Sequence, residues 1–134
     1  RAIADDESVF VHGFIESLDD MLRKTHMLFV PLLSGGGVRV KILEAMSNGI
    51  PVLSTTKGCE GLGVTNGKDI IIRDDADAFA KAMIELSADT VLRAHLAKGA
   101  VELLRDRYNL ENCVLLKDEI YQKISSSNEL SLAS

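Results

Sequence analysis

Residues 34–61 read Ser-Gly-Gly-Gly-Val-Arg-Val-Lys-Ile-Leu-Glu-Ala-Met-Ser-Asn-Gly-Ile-Pro-Val-Leu-Ser-Thr-Thr-Lys-Gly-Cys-Glu-Gly, and no other stretch restricts the fold as much. The order is a glycine loop, a short helix, a strand and a second glycine-bearing loop. Gly35, Gly36 and Gly37 permit a sharp turn that leaves bare amides exposed to a ligand. A helix starting there has unpartnered amides and the positive end of its dipole at the loop, a natural seat for a phosphate. Arg39 and Lys41 add charge. They lie two residues apart and so face differently, and Arg39, nearer the mouth, is the stronger candidate. Glu44 sits on the same helix, and because helical side chains lean toward the N-terminus its carboxylate can accept hydrogen bonds from a ligand's hydroxyls near that mouth.

On either side of this stretch, strand-like and helix-like segments alternate. Residues 8–11 and 27–30 are short apolar runs, closed by His12-Gly13 and by Pro31, and both read as buried strands. Between them Asp19 and Asp20 precede Arg23 and Lys24, the charge order a helix dipole favours. The central helix is predicted over 38–48 with Gly49 as its left-handed cap, and Pro51 opens a third strand. Asn66-Gly67 marks a turn before a fourth strand at 70–72. Helices follow. Asp77 is the expected cap of one, with Phe79, Met83, Ile84 and Leu86 facing inward, and Asp89 caps the next, with Leu92, Leu96, Leu103 and Leu104 inward. Gly99 weakens that helix without breaking it. A last helix is predicted over 110–124, inside a domain of residues 1–125, with 126–134 a polar tail.

Short apolar strands alternating with helices imply an α/β fold, a parallel sheet covered by helices on both faces. Ligands of such sheets bind outside the carboxyl ends of the strands. Three loops leave those ends: 12–14, 31–37 and 55–61. The 134 residues are enough for one domain with a sizeable core. A net charge of −5, no Trp and 4% aromatic residues argue against a nucleic-acid footprint. No apolar run is long enough to span a bilayer, and the first residues do not form a signal peptide, so a cytoplasmic location is expected. Cys59 and Cys113 form no disulfide framework and have no zinc-ligand spacing. No metal site is expected.

The segments His12-Gly13-Phe14-Ile15, Pro31-Leu32-Leu33, Gly-Gly-Gly-Val-Arg-Val-Lys-Ile-Leu-Glu-Ala-Met, Pro-Val-Leu-Ser-Thr and Gly58-Cys-Glu-Gly-Leu together resemble the C-terminal, donor-binding domain of retaining, nucleotide-sugar-dependent glycosyltransferases of the GT-B fold, group 1 type. The resemblance covers about residues 8–125. It implies a Rossmann-like sheet and transfer of a glycosyl unit from a nucleoside diphosphate sugar with its anomeric configuration kept, without a metal or other cofactor. In the family two glutamates flank seven residues. Glu44 matches the second, which the resemblance assigns to the donor's ribose, and Gly36 stands in place of the first. By the same resemblance Gly13 and Phe14 lie near the nucleobase, Gly35, Gly36, Gly37 and Val38 near the diphosphate or sugar with Arg39, and Gly58 and Glu60 border the site beyond the third strand. No catalytic residue is assigned.

The resemblance also implies an N-terminal acceptor domain, and two further strands with an Arg/Lys pair, that are not in this sequence. The chain is then expected to be a partial domain, inactive alone. Two other functions fit the alternation of strands and helices less well. A nucleotide-sugar epimerase is disfavoured by the Arg39-x-Lys41-x-x-Glu44 loop, and a receiver-type regulatory module by the lack of acids ending the first strand. In the family order 3-2-1-4-5-6 the strand at 8–11 is distant from that at 27–30. Either the two pair directly here, or a second copy of the chain covers the open edge. The second is the expectation. His12 and Glu60 also have ordinary roles open to them, as a structural histidine and a loop cap, and Cys59 lacks a neighbouring base that would make it a nucleophile.

Overall fold

The computed structural model describes residues 8–14, 16, 18–35 and 40–108. In chain order they form α1 (Leu18–Leu22), β1 (Leu28–Val30), α2 (Val40–Ser47), β2 (Val52–Ser54), β3 (Ile71–Ile72), α3 (Ala76–Ala88) and α4 (Thr90–Arg107). The three strands make one parallel sheet in the order β1-β2-β3, with Leu28 opposite Val52, Phe29 opposite Leu53, and Leu53 opposite Ile71. Successive side chains on a strand point to opposite faces, and both faces of this sheet are covered. Val30, Val52 and Ile70 join Ile42, Ala45 and Met46 of α2 in one core. Leu53 and Ile71 join Phe79, Ala82 and Leu86 of α3 in the other. Each fully buried Leu or Ile contributes about 1.5–3 kcal/mol relative to exposure.

α4 belongs to both cores. Its N-terminal half supplies Leu92 and Leu96 to the α3 side, and its C-terminal half supplies Ala100 and Leu104 to the α2 side. It reaches from one to the other along the β2–β3 connection. His95 Nε2 lies 3.2 Å from Gly67 O, Arg107 Nη1 donates to Gly63 O at 3.2 Å and Tyr108 Oη donates to Leu62 O at 2.9 Å. At Gly99 the helix meets backbone: a Cβ there would lie 2.1 Å from Lys68 O. The glycine that weakens the helix by propensity is what lets it pack.

Local chemistry sets the boundaries. α2 buries Ile42, Ala45 and Met46 at i, i+3 and i+4. It ends in a Schellman motif, with Ile50 N donating to Ala45 O at 2.9 Å and Gly49 N to Met46 O at 3.0 Å, and Gly49 at φ +68°. Asp89 serves two helices. Its amide donates to Glu85 O, closing α3, and its carboxylate accepts from Leu92 N at 2.8 Å, opening α4. Arg93 Nη1 donates to Leu86 O and Ser87 O at 2.5 and 2.8 Å, placing a cation on the carbonyl end of α3.

The structure corrects several expectations. Residues 8–11 form no strand: Phe10 and Val11 are 78% exposed and irregular. Apolar composition gives a segment β propensity but no partner for its amides, and the described sheet pairs nothing with the free edge of β1. Direct pairing of 8–11 with 27–30 is therefore not what forms. The cap of α3 is Asp75, whose Oδ1 accepts from Ala78 N at 2.9 Å, not Asp77, which lies within the first turn. The inward face also differs from the one expected. Phe79, Ala82 and Leu86 face inward, while Met83 and Ile84 are 36% and 69% exposed. The predicted helix at 110–124 and the boundary after residue 125 lie outside the described residues.

Asp69 is buried, 2% exposed, in the β2–β3 connection. Its Oδ1 accepts from Thr65 N at 2.8 Å. Burial pushes its carboxyl above the usual range, against the smaller opposing effects of that hydrogen bond and of Lys68.

Two outcomes are expected. Gly99→Ala, which helix propensity alone would favour by about 1 kcal/mol, is expected to destabilise the fold by about 1–3 kcal/mol because the methyl meets a carbonyl rather than a flexible side chain. A urea midpoint at or above that of the unaltered chain would contradict this packing. For Asp69, a folded pKa above the unfolded one means a contribution to stability that is full below the unfolded pKa and lost as pH rises through the folded pKa. Asp69→Asn removes that titration and keeps an acceptor for Thr65, so its stability relative to the unaltered chain is expected to rise between about pH 3 and about pH 7. Urea midpoints at both pH values check the sign.

Candidate functional site

Three loops leave the carboxyl ends of β1, β2 and β3, the place where open α/β sheets bind ligands, and two adjacent threonines join them. Thr55 is 4% exposed. Its hydroxyl donates to Leu32 O and accepts from Gly58 N at 3.0 Å, while its amide donates to Val30 O at 3.3 Å. The loop after β2 is thereby tied to the loop after β1. Thr56 reaches the other way: its amide donates to Asp74 Oδ1 and its hydroxyl to Asp74 Oδ2, both at 2.7 Å. Hydrogen bonds from the Thr56 hydroxyl, and then from its amide, hold the Asp74 carboxyl below the usual range. Asp74 is thus an anion with each oxygen engaged.

Packing fixes the turn that follows. A Cβ on Gly58 would lie 2.3 Å from Ser54 Oγ and 2.8 Å from Val30 O, so only glycine lets the loop lie this close to the strand ends. Ser54, fully buried, donates to Val30 O at 3.3 Å and Thr55 O at 3.0 Å. Cys59 Sγ donates to Thr55 O at 3.3 Å. Burial pushes the Cys59 thiol up, so it is a protonated donor to the loop backbone rather than a nucleophile. Beyond it Glu60 is exposed, with its carboxylate 2.5 Å from Lys57 Nζ.

Cavities among the described residues include one at these loops and one beside α2. One, of about 290 Å³, opens between the loops after β1 and β3 and the start of α3, lined by Pro31, Leu33, Thr55, Asp74, Phe79 and Met83 among others. The second, of about 340 Å³, lies between α2 and α4, lined by Leu43, Glu44, Ser47, Leu104 and Tyr108. The structure places Gly35, with φ +115°, Gly58 and Glu60 in loops at one end of the sheet. Glu44 is exposed on α2 and borders the second cavity rather than the first. Gly13 and Phe14 lie on the exposed segment that precedes α1. Nothing lies within 4 Å of a Cβ built on Gly13, and Phe14 is 94% exposed. Gly36, Gly37, Val38 and Arg39 lie outside the described residues.

Sequence reasoning passed over Thr55, Thr56 and Asp74. Their contacts join residues 18 and 23 positions apart, a separation without a local spacing rule. The available signal was position: polar residues directly after apolar strands, where loops meet. Among the described residues no group of three His, Cys, Asp or Glu side chains could hold a metal ion. No helix among them is long and apolar enough to cross a membrane.

Comparison with known proteins adds an independent line. The family described as Glycosyl transferases group 1 matches residues 1–89. Among curated proteins, an uncharacterized 44.6 kDa protein in the cps region of Klebsiella pneumoniae is 35% identical over 79 residues, which is 59% of this chain and 20% of that protein. Among solved structures, the crystal structure of the C-terminal domain of a glycosyl transferase group 1 family protein, LpcC, from Francisella tularensis matches with a TM-score of 0.64 and 19% identity, covering 74% of this chain and 53% of that one. The chain thus spans about a fifth of the curated relative and about half of the solved domain. At that identity the solved structure speaks for the fold alone, and it agrees with the parallel sheet and flanking helices: an α/β, Rossmann-like arrangement of the GT-B C-terminal type. With the family match extending over most of its length, this chain belongs to the group 1 glycosyl transferases.

Proposed function

We propose that the chain is the nucleotide-sugar-binding part of a glycosyltransferase that moves a glycosyl unit to an acceptor, held by an N-terminal domain, with its anomeric configuration kept. The observation that carries this reading is the gathering of three loops, two of them bearing candidate donor-binding residues, at the carboxyl ends of the three parallel strands. Family membership supports it. So does the start of α2, whose first turn carries no acidic side chain and exposes Lys41, leaving the dipole's positive end unopposed.

In this reading the donor's diphosphate faces the glycine loop and the start of α2. Arg39 and the amides there meet the negative charge that builds on the leaving diphosphate as the glycosidic bond breaks, an electrostatic contribution of several kcal/mol. Glu44 accepts hydrogen bonds from the ribose hydroxyls, and Glu60 borders the site from the loop after β2. Catalysis requires the acceptor to be held against the sugar. The chain by itself is proposed to bind donor without transferring it.

Nucleoside diphosphates added to the chain test the reading, since only a ligand of the folded state raises the thermal midpoint. At least one of UDP, GDP and ADP is expected to do so. Arg39→Ala is expected to weaken that binding by about 1–3 kcal/mol, the range for a charge-assisted hydrogen bond, and Lys41→Ala by less. Equal losses from both, or no loss from Arg39→Ala, would count against the assignment.

A further inference from the structure

Asp74 has no part in capping α3, which Asp75 does, though it lines the cavity between the loops after β1 and β3. Both of its oxygens are nevertheless taken by one residue, Thr56, 18 positions earlier in the chain. Thr56 and Asp74 are exposed, so water would satisfy the same groups if they separated, and the contact adds little to global stability. What the pair does add is geometry. Two hydrogen bonds to one carboxylate fix direction as well as distance. They hold the first residue beyond Thr55, which the loop after β1 already fixes, at the root of the turn that carries Gly58 and Glu60. The ion pair of Lys57 with Glu60 lies within that turn and moves with it.

We propose that Thr56 and Asp74 are positioning residues for nucleotide-sugar binding: their paired hydrogen bonds hold the 55–61 loop in the shape that receives the donor. The inference rests on the donor-binding reading above. The loop after β3 thereby contributes to the site by holding the loop after β2. Without the clasp the loop samples other shapes, and apparent affinity falls in proportion to the time spent away from the binding shape.

Thr56→Val keeps the side-chain shape and the amide bond but loses the hydroxyl. Thr56→Ser restores the hydroxyl, and Asp74→Ala removes the acceptor altogether. In the 134-residue chain without ligand, amide hydrogen exchange over residues 56–61 is expected to quicken in Thr56→Val and Asp74→Ala, to stay near the original rate in Thr56→Ser, and to leave the urea midpoint almost unmoved. Binding of whichever of UDP, GDP or ADP stabilises the unaltered chain is expected to weaken about tenfold in the first two variants, as for a loop in its binding shape about a tenth of the time, with Thr56→Ser rescuing it. Unchanged exchange in Thr56→Val and Asp74→Ala overturns the clasp whatever the ligands do. Faster exchange with undiminished binding overturns its link to the donor. If the unaltered chain binds none of the three diphosphates, the donor-binding reading falls, and the link to the donor falls with it, while the exchange result still decides whether the clasp holds the loop.

Discussion

The complete burial of β2 is the constraint on which the rest of the structure depends. Val52, Leu53 and Ser54 have no exposed surface, because β1 and β3 lie on either side and α2 and α3 lie above and below. A strand in that position cannot leave a polar group unanswered. The Ser54 hydroxyl accordingly finds Val30 O and Thr55 O, and the Thr55 hydroxyl finds Leu32 O. The need to satisfy these groups where the strand ends is what draws the neighbouring loops together. The candidate site is to that extent a consequence of how the core closes.

The same closure explains which residue types the loop after β2 tolerates. Gly58 sits where its neighbours leave no room for a methyl, and Cys59 tucks a small, weakly polar side chain under the turn. Only after those two does the chain return to solvent, with Glu60 and Gly61. The position of Glu60 is thus set in part by the packing of the two residues before it. Rigid support beneath an exposed carboxylate suits the donor-binding role proposed for Glu60.

Much of this was legible in the sequence, and the parts that were not share a physical cause. The runs at 27–30, 51–54 and 70–72 hold β1, β2 and β3 because unbroken apolar stretches fit a sheet covered on both sides. Gly49 and Asp89 cap as read, since capping is decided within a few residues. Residues 8–11 have the same apolar character and form no strand, because pairing depends on a neighbour that composition cannot reveal. Asp74, Asp75 and Asp77 all lie where a cap is needed, and the choice of Asp75 follows from where β3 ends and where Phe79 must point. Gly35 and Glu44 are readable from the glycine loop and the helix after it, and Gly58 and Glu60 from the family resemblance, with Glu44 found on the α2–α4 side. The long-range links through Thr55, Thr56 and Asp74 are visible only once the strand ends are adjacent.

α4 gives the domain a property that neither core would have separately. One face of the sheet packs on α2 and the other on α3, an arrangement that could in principle come apart in two stages. A single continuous helix contributes Leu96 to one side and Ala100 to the other, at adjacent turns on either side of its closest approach to backbone at Gly99. Neither layer can be stripped away without removing the helix that also seals the opposite one. The two halves are therefore expected to melt as one cooperative unit, with damage confined by location to one side of the sheet felt as loss of the whole.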